Sequence, residues 1–441
     1  MFVLKLETIS KEKFMTIKIA LLGFGTVAKG IPYLLKENQH KLLSLEGEDI
    51  VIDKVLVRDN ESRQRFINQG FTYNFVTEIN TILQDPQIDI VVELMGGIEP
   101  AKTYLSQALG FGKHIVTANK DLIALHGKEL MDLADARGLA LFYEGAVAGG
   151  IPILRTLSHS FASDKMTRLL GILNGTSNFM LTKMFEEGWS YEQALKKAQE
   201  LGYAESDPTN DVEGIDTAYK ATILSQFGFG MPIDFDDVNY KGISSIRSED
   251  VEVAQEMGFA IKLVADLRET PTGISVDVSP TLISQEHPLA AVNHVMNAVF
   301  IESIGIGQSL FYGPGAGQNP TATSVLADII DISRSIRSQI KIKPMNTYHC
   351  PCRLSMQSDI FNEYYLAISL RNAEDSDTLG RYFEQENIGL KNVIEKALDD
   401  KQQEIYVLTD EVSQEKITQF IEEFPESGVI QLINVFKVIG G

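Results

Sequence analysis

"TIKIALLGFGTVAKGIPYLLKE", residues 16–37, decides the fold. Ile17 to Leu22 is an apolar run of strand length. Gly23 and Gly25 then interrupt it, and a helical pattern runs on through about Lys36. Strand, glycine turn and helix in this order open a βαβ unit. Gly23, Gly25 and Ala28 occupy the three small-residue places of G-x-G-x-x-G/A. Gly23 permits the tight turn, Gly25 lets the backbone approach a pyrophosphate, and Ala28 is small enough for helix and strand to pack closely. The same spacing also serves a plain strand-to-helix turn, so the surroundings must decide.

They repeat the pattern. "DIVIDKVLVRD" (49–59) reads as a second apolar strand ending near Val57, and "QIDIVVELMGG" (87–97) and "KHIVTANK" (113–120) as further strands. The helical "LIALHGKELMDLADARG" (122–138) leads into "LALFYEGAVAGG" (139–150), again strand into glycine turn. Alternating strands and helices specify an α/β fold, a Rossmann-type doubly wound parallel sheet over residues 15–147. A second domain of mixed α/β character is expected over 148–318. It contains the helices "SYEQALKKAQELG" (190–202) and "DVEGIDTAYKATILSQFG" (211–228) and the strands "GISVDVSPTLI" (273–283) and "NAVFIES" (297–303). "NPTATSVLADIIDISRSI" (319–336) is an amphipathic helix, and 319–340 is expected to return to the nucleotide domain. Residues 341–351 read as a linker. From 352 to 441 the order is strand, helix, strand, strand, helix, strand, the ferredoxin-like plan.

Composition narrows the function. With 44% hydrophobic and 22% charged residues the chain is globular, and no apolar run reaches the roughly 20 residues that span a bilayer. A net charge of −21 disfavours nucleic acid and anionic membranes as partners. Cys350 and Cys352, the only cysteines, form a C-x-C pair without the second pair of a structural zinc site, and reduced cytoplasmic thiols are expected. Met15 stands just before the first strand, so residues 1–14 are expected to be an extension.

At the end of the second strand Arg58 precedes Asp59. An arginine there suits an adenosine 2′-phosphate, whereas an acid would accept from a ribose hydroxyl. NADP(H) is therefore favoured and NAD(H) stays open. "LGYAESDPTNDVEGIDTAYK" (201–220) places Glu205, Asp207, Asp211, Glu213 and Asp216 before Lys220. If Asp211 begins a helix, Glu213, Asp216 and Lys220 share one stripe of it. This could be a capped surface helix with an exposed Asp216–Lys220 pair. It could equally be a site in which carboxylates hold a substrate ammonium while the lysine exchanges a proton. Lys120, just after a strand of the nucleotide domain, either points into the cofactor crevice or is a solvated loop charge.

From Thr16 to Ile336 the chain resembles the homoserine dehydrogenase family, through "GFGTVAKG", "TANK", "EGAVAGGIPI", "GILNGTSNFML", "GYAESDPTNDVEGIDTAYK" and "GPGAGQNPTATSVLAD" in the family's order. The resemblance implies NAD(P)-dependent interconversion of L-aspartate 4-semialdehyde and L-homoserine, on the route to threonine and methionine. It implies that Lys220 is the proton-transferring lysine and Lys120 a second active-site lysine touching cofactor and substrate. Glu205 and Asp216 become the carboxylates that bind homoserine, with Asp211 also in the site, and Asn174, Gly175 and Thr176 line the substrate pocket. Gly23, Phe24, Gly25, Thr26, Val27, Arg58 and Gly317 are implied on the cofactor. Glu144 and the carbonyls of Val147, Gly149 and Ile151 match a monovalent cation site, taken as sodium. The terminal module resembles an ACT domain, which implies subunit pairing into a homo-oligomer and an amino-acid effector, with threonine the natural candidate. Its acidic "NAEDSDTLG" loop departs from the more apolar effector loop of such modules. Aspartate semialdehyde dehydrogenase is a weaker match, since it needs a nucleophilic cysteine in the catalytic region. A catalytically silent sensor fits poorly with two intact lysines.

Overall fold

The computed structural model describes residues 16–46, 49–371, 376–397, 402–424 and 430–440. The expected extension, residues 1–14, and the Asn372–Asp375 part of the acidic loop lie outside the described residues. The chain forms two compact units, one from the segment ending at Pro152 together with Ala316–Thr347, the other from Ile153–Gly315 with Tyr348 onward.

In the first unit six strands, β1 (Thr16–Leu22), β2 (Asp49–Leu56), β3 (Phe75–Val76), β4 (Ile90–Glu93), β5 (His114–Thr117) and β6 (Leu141–Phe142), form one sheet. The order is β3-β2-β1-β4-β5-β6 and every pairing is parallel. The order reverses between β1 and β4, the place where an open α/β sheet leaves a crevice beyond its carboxyl ends. Ile17 and Ile19–Leu22 of β1 are apolar and buried because helices cover both faces of a parallel sheet.

Helix Gln318–Ser338 belongs to this unit and packs on helix Thr26–Glu37. Its Ala322, Val325, Ile329 and Ile332 join Ile17, Ile19, Ala28 and Ile31 in one core. The closest approach falls at Gly30. A Cβ there would lie 2.7 Å from the Gln318 carbonyl oxygen and 2.8 Å from the Ala322 Cβ. Ala28 is fully buried, yet the position that admits no side chain is two residues later.

The second unit is built on nine strands in one path plus two short ones. They are β7 (Met166–Ile172), β8 (Asn239–Tyr240), β9 (Phe259–Glu269), β10 (Ile274–Ser284), β11 (Met296–Ser303), β12 (Gly307–Pro314), β13 (Phe361–Leu370), β14 (Leu390–Ala397), β15 (Gln403–Thr409), β16 (Val412–Ser413) and β17 (Ile430–Ile439). The path runs β12-β11-β7-β9-β10-β17-β13-β15-β14. β9 and β10 make a long antiparallel pair, from Phe259 opposite Ser284 to Glu269 opposite Ile274. Helices Gly175–Glu187 and Ile215–Phe229 lie against them.

The C-terminal strands continue this sheet, because Thr281, Leu282 and Ile283 of β10 pair in parallel with Lys437, Val438 and Ile439 of β17. Helices Ser376–Gln385 and Gln414–Glu422 cover one face of that continuation and bury Leu379, Phe383, Ile417 and Phe420 against Leu366 and Ile368. On the other side sits a buried polar knot. Asp250 accepts from the Tyr365 hydroxyl at 3.0 Å and from Asn434 Nδ2 at 2.8 Å, while Arg247 bridges Asp250 and Glu404.

The stretch 211–228, read as one helix, is two. Helix Thr209–Val212 stops, Gly214 takes φ 80°, and helix Ile215–Phe229 starts again. The hydrophobic period carries across the break, but the glycine's left-handed backbone does not. Among the described residues no helix is long and apolar enough to cross a membrane.

Candidate active site

The acidic stretch separates into a buried centre and a wet margin. Asp216 is in the first turn of helix Ile215–Phe229 and Lys220 lies one turn on. Their side chains form an ion pair at 2.6 Å, with relative exposures of 9% and 10%. Of the two readings of this pair, the exposed surface one is ruled out, because the helix packs on β9 and β10 rather than facing water. Lys220 Nζ also donates to the Leu173 carbonyl at 2.6 Å. An ammonium has three N–H donors, so these two bonds fix the direction of the third.

Asn174 ties this pair to the neighbouring helix. It N-caps helix Gly175–Glu187, its Oδ1 accepting from Ser177 N at 2.8 Å. Its Nδ2 donates to Asp211 Oδ1 at 2.7 Å and to Asp216 Oδ2 at 3.0 Å. One amide thus brings together two carboxylates that the break at Gly214 puts on different helices, and the single stripe expected for Glu213, Asp216 and Lys220 does not form, since Glu213 lies before the break. Gly175 is required beside it, since a Cβ would lie 2.8 Å from the Val295 carbonyl oxygen. Thr176 Oγ1 donates to the Tyr203 carbonyl at 2.7 Å and anchors the loop that carries Glu205. Glu205 is exposed, and its carboxylate forms no hydrogen bond or ion pair with this cluster. Asp207 is a turn residue that accepts from Thr209, and that bond holds its carboxyl below the usual range.

In the nucleotide unit Gly23 has φ 91°, and a Cβ there would come within 3.1 Å of the Leu94 carbonyl oxygen. Gly25 is exposed, has open space where a Cβ would stand, and begins helix Thr26–Glu37 without any side-chain cap or first-turn acid. Uncapped N–H groups under open space fit a pyrophosphate. Thr26 is exposed and Val27 half-buried on the same turn. Phe24 is different. Its ring is buried edge-on against Phe66, Phe71 and Phe75, with centroids 5.0–5.4 Å apart, so only its backbone is available in the loop. Arg58 is exposed at the end of β2, whereas Asp59 accepts from Ser62 N at 2.7 Å and caps helix Asn60–Asn68. That bond lowers the Asp59 carboxyl's pKa.

The last residue of β4 is a group that the sequence reading missed. Glu93 is fully buried, and burial pushes its pKa up. It accepts from Thr117 Oγ1 at 2.6 Å and from Met95 N at 2.7 Å. Thr117 Oγ1 accepts from Asn119 N, and Asn119 caps helix Lys120–Arg137, so the chain of bonds ends at the residue before Lys120. Lys120 is half-buried and lies 3.5 Å from Asp121. The available signal was one charged residue closing an otherwise apolar strand.

Glu144 is fully buried on a short 3-10 turn and its N–H donates to Asp328 Oδ2 at 2.9 Å. Ala148 and Gly149 both take positive φ, 53° and 47°, and Gly149's carbonyl accepts from Ser324 Oγ at 2.6 Å. Gly317, with φ 119°, starts helix Gln318–Ser338.

Comparison with known proteins gives the family of the chain. A family model described as homoserine dehydrogenase matches residues 152–330, and one described as homoserine dehydrogenase, NAD binding domain, matches residues 23–144. Homoserine dehydrogenase of Lactococcus lactis subsp. lactis is 50% identical over 432 residues, 97% of this chain and 100% of that protein. The crystal structure of a homoserine dehydrogenase from Thiobacillus denitrificans superposes with a TM-score of 0.91 at 34% identity, covering 97% of this chain and 99% of that one. A hyperthermophilic archaeal homoserine dehydrogenase in complex with NADPH matches 72% of this chain and 98% of its own, with a TM-score of 0.62 and 29% identity.

Proposed function

The chain belongs to the homoserine dehydrogenase family, and from that premise we propose how its residues divide the work. The enzyme is an NAD(P)-dependent oxidoreductase that interconverts L-aspartate 4-semialdehyde and L-homoserine. The nicotinamide cofactor, when bound, supplies the hydride chemistry at C4 of the substrate.

Lys220 carries the proton. In reduction it gives one to the aldehyde oxygen, and in oxidation it takes the hydroxyl proton back. The observation that carries this reading is the buried ammonium held by Asp216 and the Leu173 carbonyl with one donor direction left over. Asp216 and Glu205 form the clamp for the substrate ammonium, Asp211 supports it through Asn174, and Gly175 and Thr176 shape the pocket wall. Glu205 enters this clamp from its exposed loop. Lys120 serves as the second active-site lysine. Lys220→Ala should lower turnover by about 10²–10⁴-fold, the range for loss of one acid–base group, while an NADPH fluorescence titration gives a Kd near that of the parent. Turnover close to the parent's would exclude Lys220 from the chemistry.

For the cofactor, Gly23, Gly25, Thr26 and Val27, with Phe24 through its backbone, seat the pyrophosphate, and Gly317 closes the site. Arg58 favours NADP(H), because Asp59 is engaged as a helix cap and so is not directed at a ribose. For the monovalent cation, taken as sodium, Glu144 offers a carboxylate, and the carbonyls of Val147, Gly149 and Ile151 complete an oxygen-only set suited to a hard ion. The C-terminal module, with sheet order β17-β13-β15-β14 and two helices on one face, fits a ferredoxin-like ACT domain. We assign it a small amino-acid effector, threonine in the first instance. A homo-oligomer is favoured by the two edges of the long sheet. Leu310 and Tyr312 are exposed on β12 and Leu390 and Val393 on β14, and such edges invite pairing with a second copy. The cytoplasm is the expected compartment.

A further inference from the structure

Asn297, the second residue of β11, is 1% exposed, and its Nδ2 donates to the Leu173 carbonyl at 2.8 Å. That carbonyl is the one on which Lys220 Nζ rests. A carbonyl oxygen has two lone pairs, and here one goes to the lysine and one to the amide. The orientation of the amide is not arbitrary, because Leu173 O can only accept and the NH2 end must face it. Asn297 Oδ1 is then left buried with no hydrogen-bond partner. An unpaired buried acceptor is a net cost to folding, and an apolar residue of the same shape would avoid it. Stability therefore does not explain an asparagine at this position, whereas its contact with the carbonyl under Lys220 does.

Asn297 is itself held from behind. Lys262, on β9 and 2% exposed, donates to the Val292 carbonyl at 2.7 Å and to Asn293 Oδ1 at 2.8 Å. Asn178, next to it, donates to the carbonyls of Val292 and Met296 at 3.0 and 3.1 Å. The segment 292–297 is thus clamped at both ends, and its Val295 carbonyl is the surface against which Gly175 fits. At the far side the Asn297 amide lies so close to Gly315 that any Cβ there would collide with it.

We propose that Asn297 is a positioning residue for the reaction, which sets the Leu173 carbonyl and through it the free donor direction of Lys220, with Lys262 bracing the segment that carries it. This rests on the reading of Lys220 as the proton carrier. A proton donor displaced by about 1 Å can lose on the order of 10²-fold in rate. Asn297→Leu keeps the volume and removes the donor, so it should lower kcat by about 10–100-fold while KM for NADPH stays within twofold and the melting temperature does not fall. The primary isotope effect on kcat with C4-deuterated homoserine should rise, because the chemical step becomes more nearly rate-limiting. A purely structural asparagine would not move the isotope effect.

The double variant Asn297→Leu, Lys220→Ala separates the layers. It should be no slower than Lys220→Ala alone, since both changes act on one group. A parent-like kcat in Asn297→Leu alongside an inactive Lys220→Ala overturns the role of Asn297 only. A fully active Lys220→Ala overturns the underlying reading and this proposal with it. Should Asn297→Leu prove too unstable to assay, Lys262→Met gives the same answer. It must lower kcat and raise the isotope effect without changing KM for NADPH, and parent-like kinetics in it would equally overturn the proposal.

Discussion

Arg58 and Asp59 are adjacent at the end of β2 and do different work. The carboxylate is tied to Ser62 N as a helix cap, and the guanidinium is exposed. A bond from arginine to a phosphate is worth about 1.5–3 kcal/mol net, or roughly 10–100-fold in affinity. Arg58→Ala should therefore raise KM for NADPH by about that factor and leave KM for NADH nearly unchanged, as read from initial rates with each cofactor. An equal rise for both would show that Arg58 does not sense the 2′-phosphate. Residue identity was legible in the sequence wherever the chemistry was local, as at Gly23, Gly25 and the Arg58–Asp59 step. It was not legible where a polar side chain works across strands. Glu93, Lys262 and Asn297 each look like an interruption in an apolar run, and only the sheet register reveals what each one bonds.

Helix Ile215–Phe229 owes the placement of Asp216 to the residue before it. Gly214 has φ 80°, where a residue with a Cβ is strained by roughly 1–2 kcal/mol. Gly214→Ala should destabilise the protein by about that amount in urea unfolding and also lower kcat, because Asp211 and Asp216 would no longer meet the same Asn174 amide. Gly214→Asn, which tolerates the left-handed region better, should recover part of both losses. An alanine variant with parent stability and rate would mean that the break is incidental. The existence of this helix could be read from its apolar period, but its division could not, because a glycine inside a helical pattern is common and only its backbone angle makes it a breakpoint. The strands of the nucleotide unit were easier. β1, β2, β4 and β5 are short apolar runs bounded by turns, and β6 lies in the strand read from 139–150, while the two-residue β3 carries too little pattern to find. β7, β9 and β12 also escaped notice, since their sequences lack strict alternation.

At the scale of the molecule the C-terminal strands are not a loosely appended module. β17 is hydrogen-bonded to β10, and the knot of Arg247, Asp250, Tyr365, Glu404 and Asn434 lies between the same parts of the second unit. If the module senses threonine, homoserine oxidation should fall as threonine is titrated in, and Arg247→Met should weaken that response while basal kcat stays within about twofold. Threonine without effect at millimolar concentration would remove it as the effector. The strand and helix order of this region was readable from the sequence, but its continuity with β10 was not, since nothing local marks which edge a strand will join. Helix Gln318–Ser338 completes the nucleotide unit from far along the chain. A nascent chain that has reached Pro152 has all six strands of the first sheet but not the helix that covers Ala28 and Ile31. Residues 153–315 must be made before that helix emerges, roughly 10–30 s at about 5–20 residues per second. During synthesis the nucleotide-binding half therefore waits with an open apolar flank, a natural hold point for a chaperone at the ribosome.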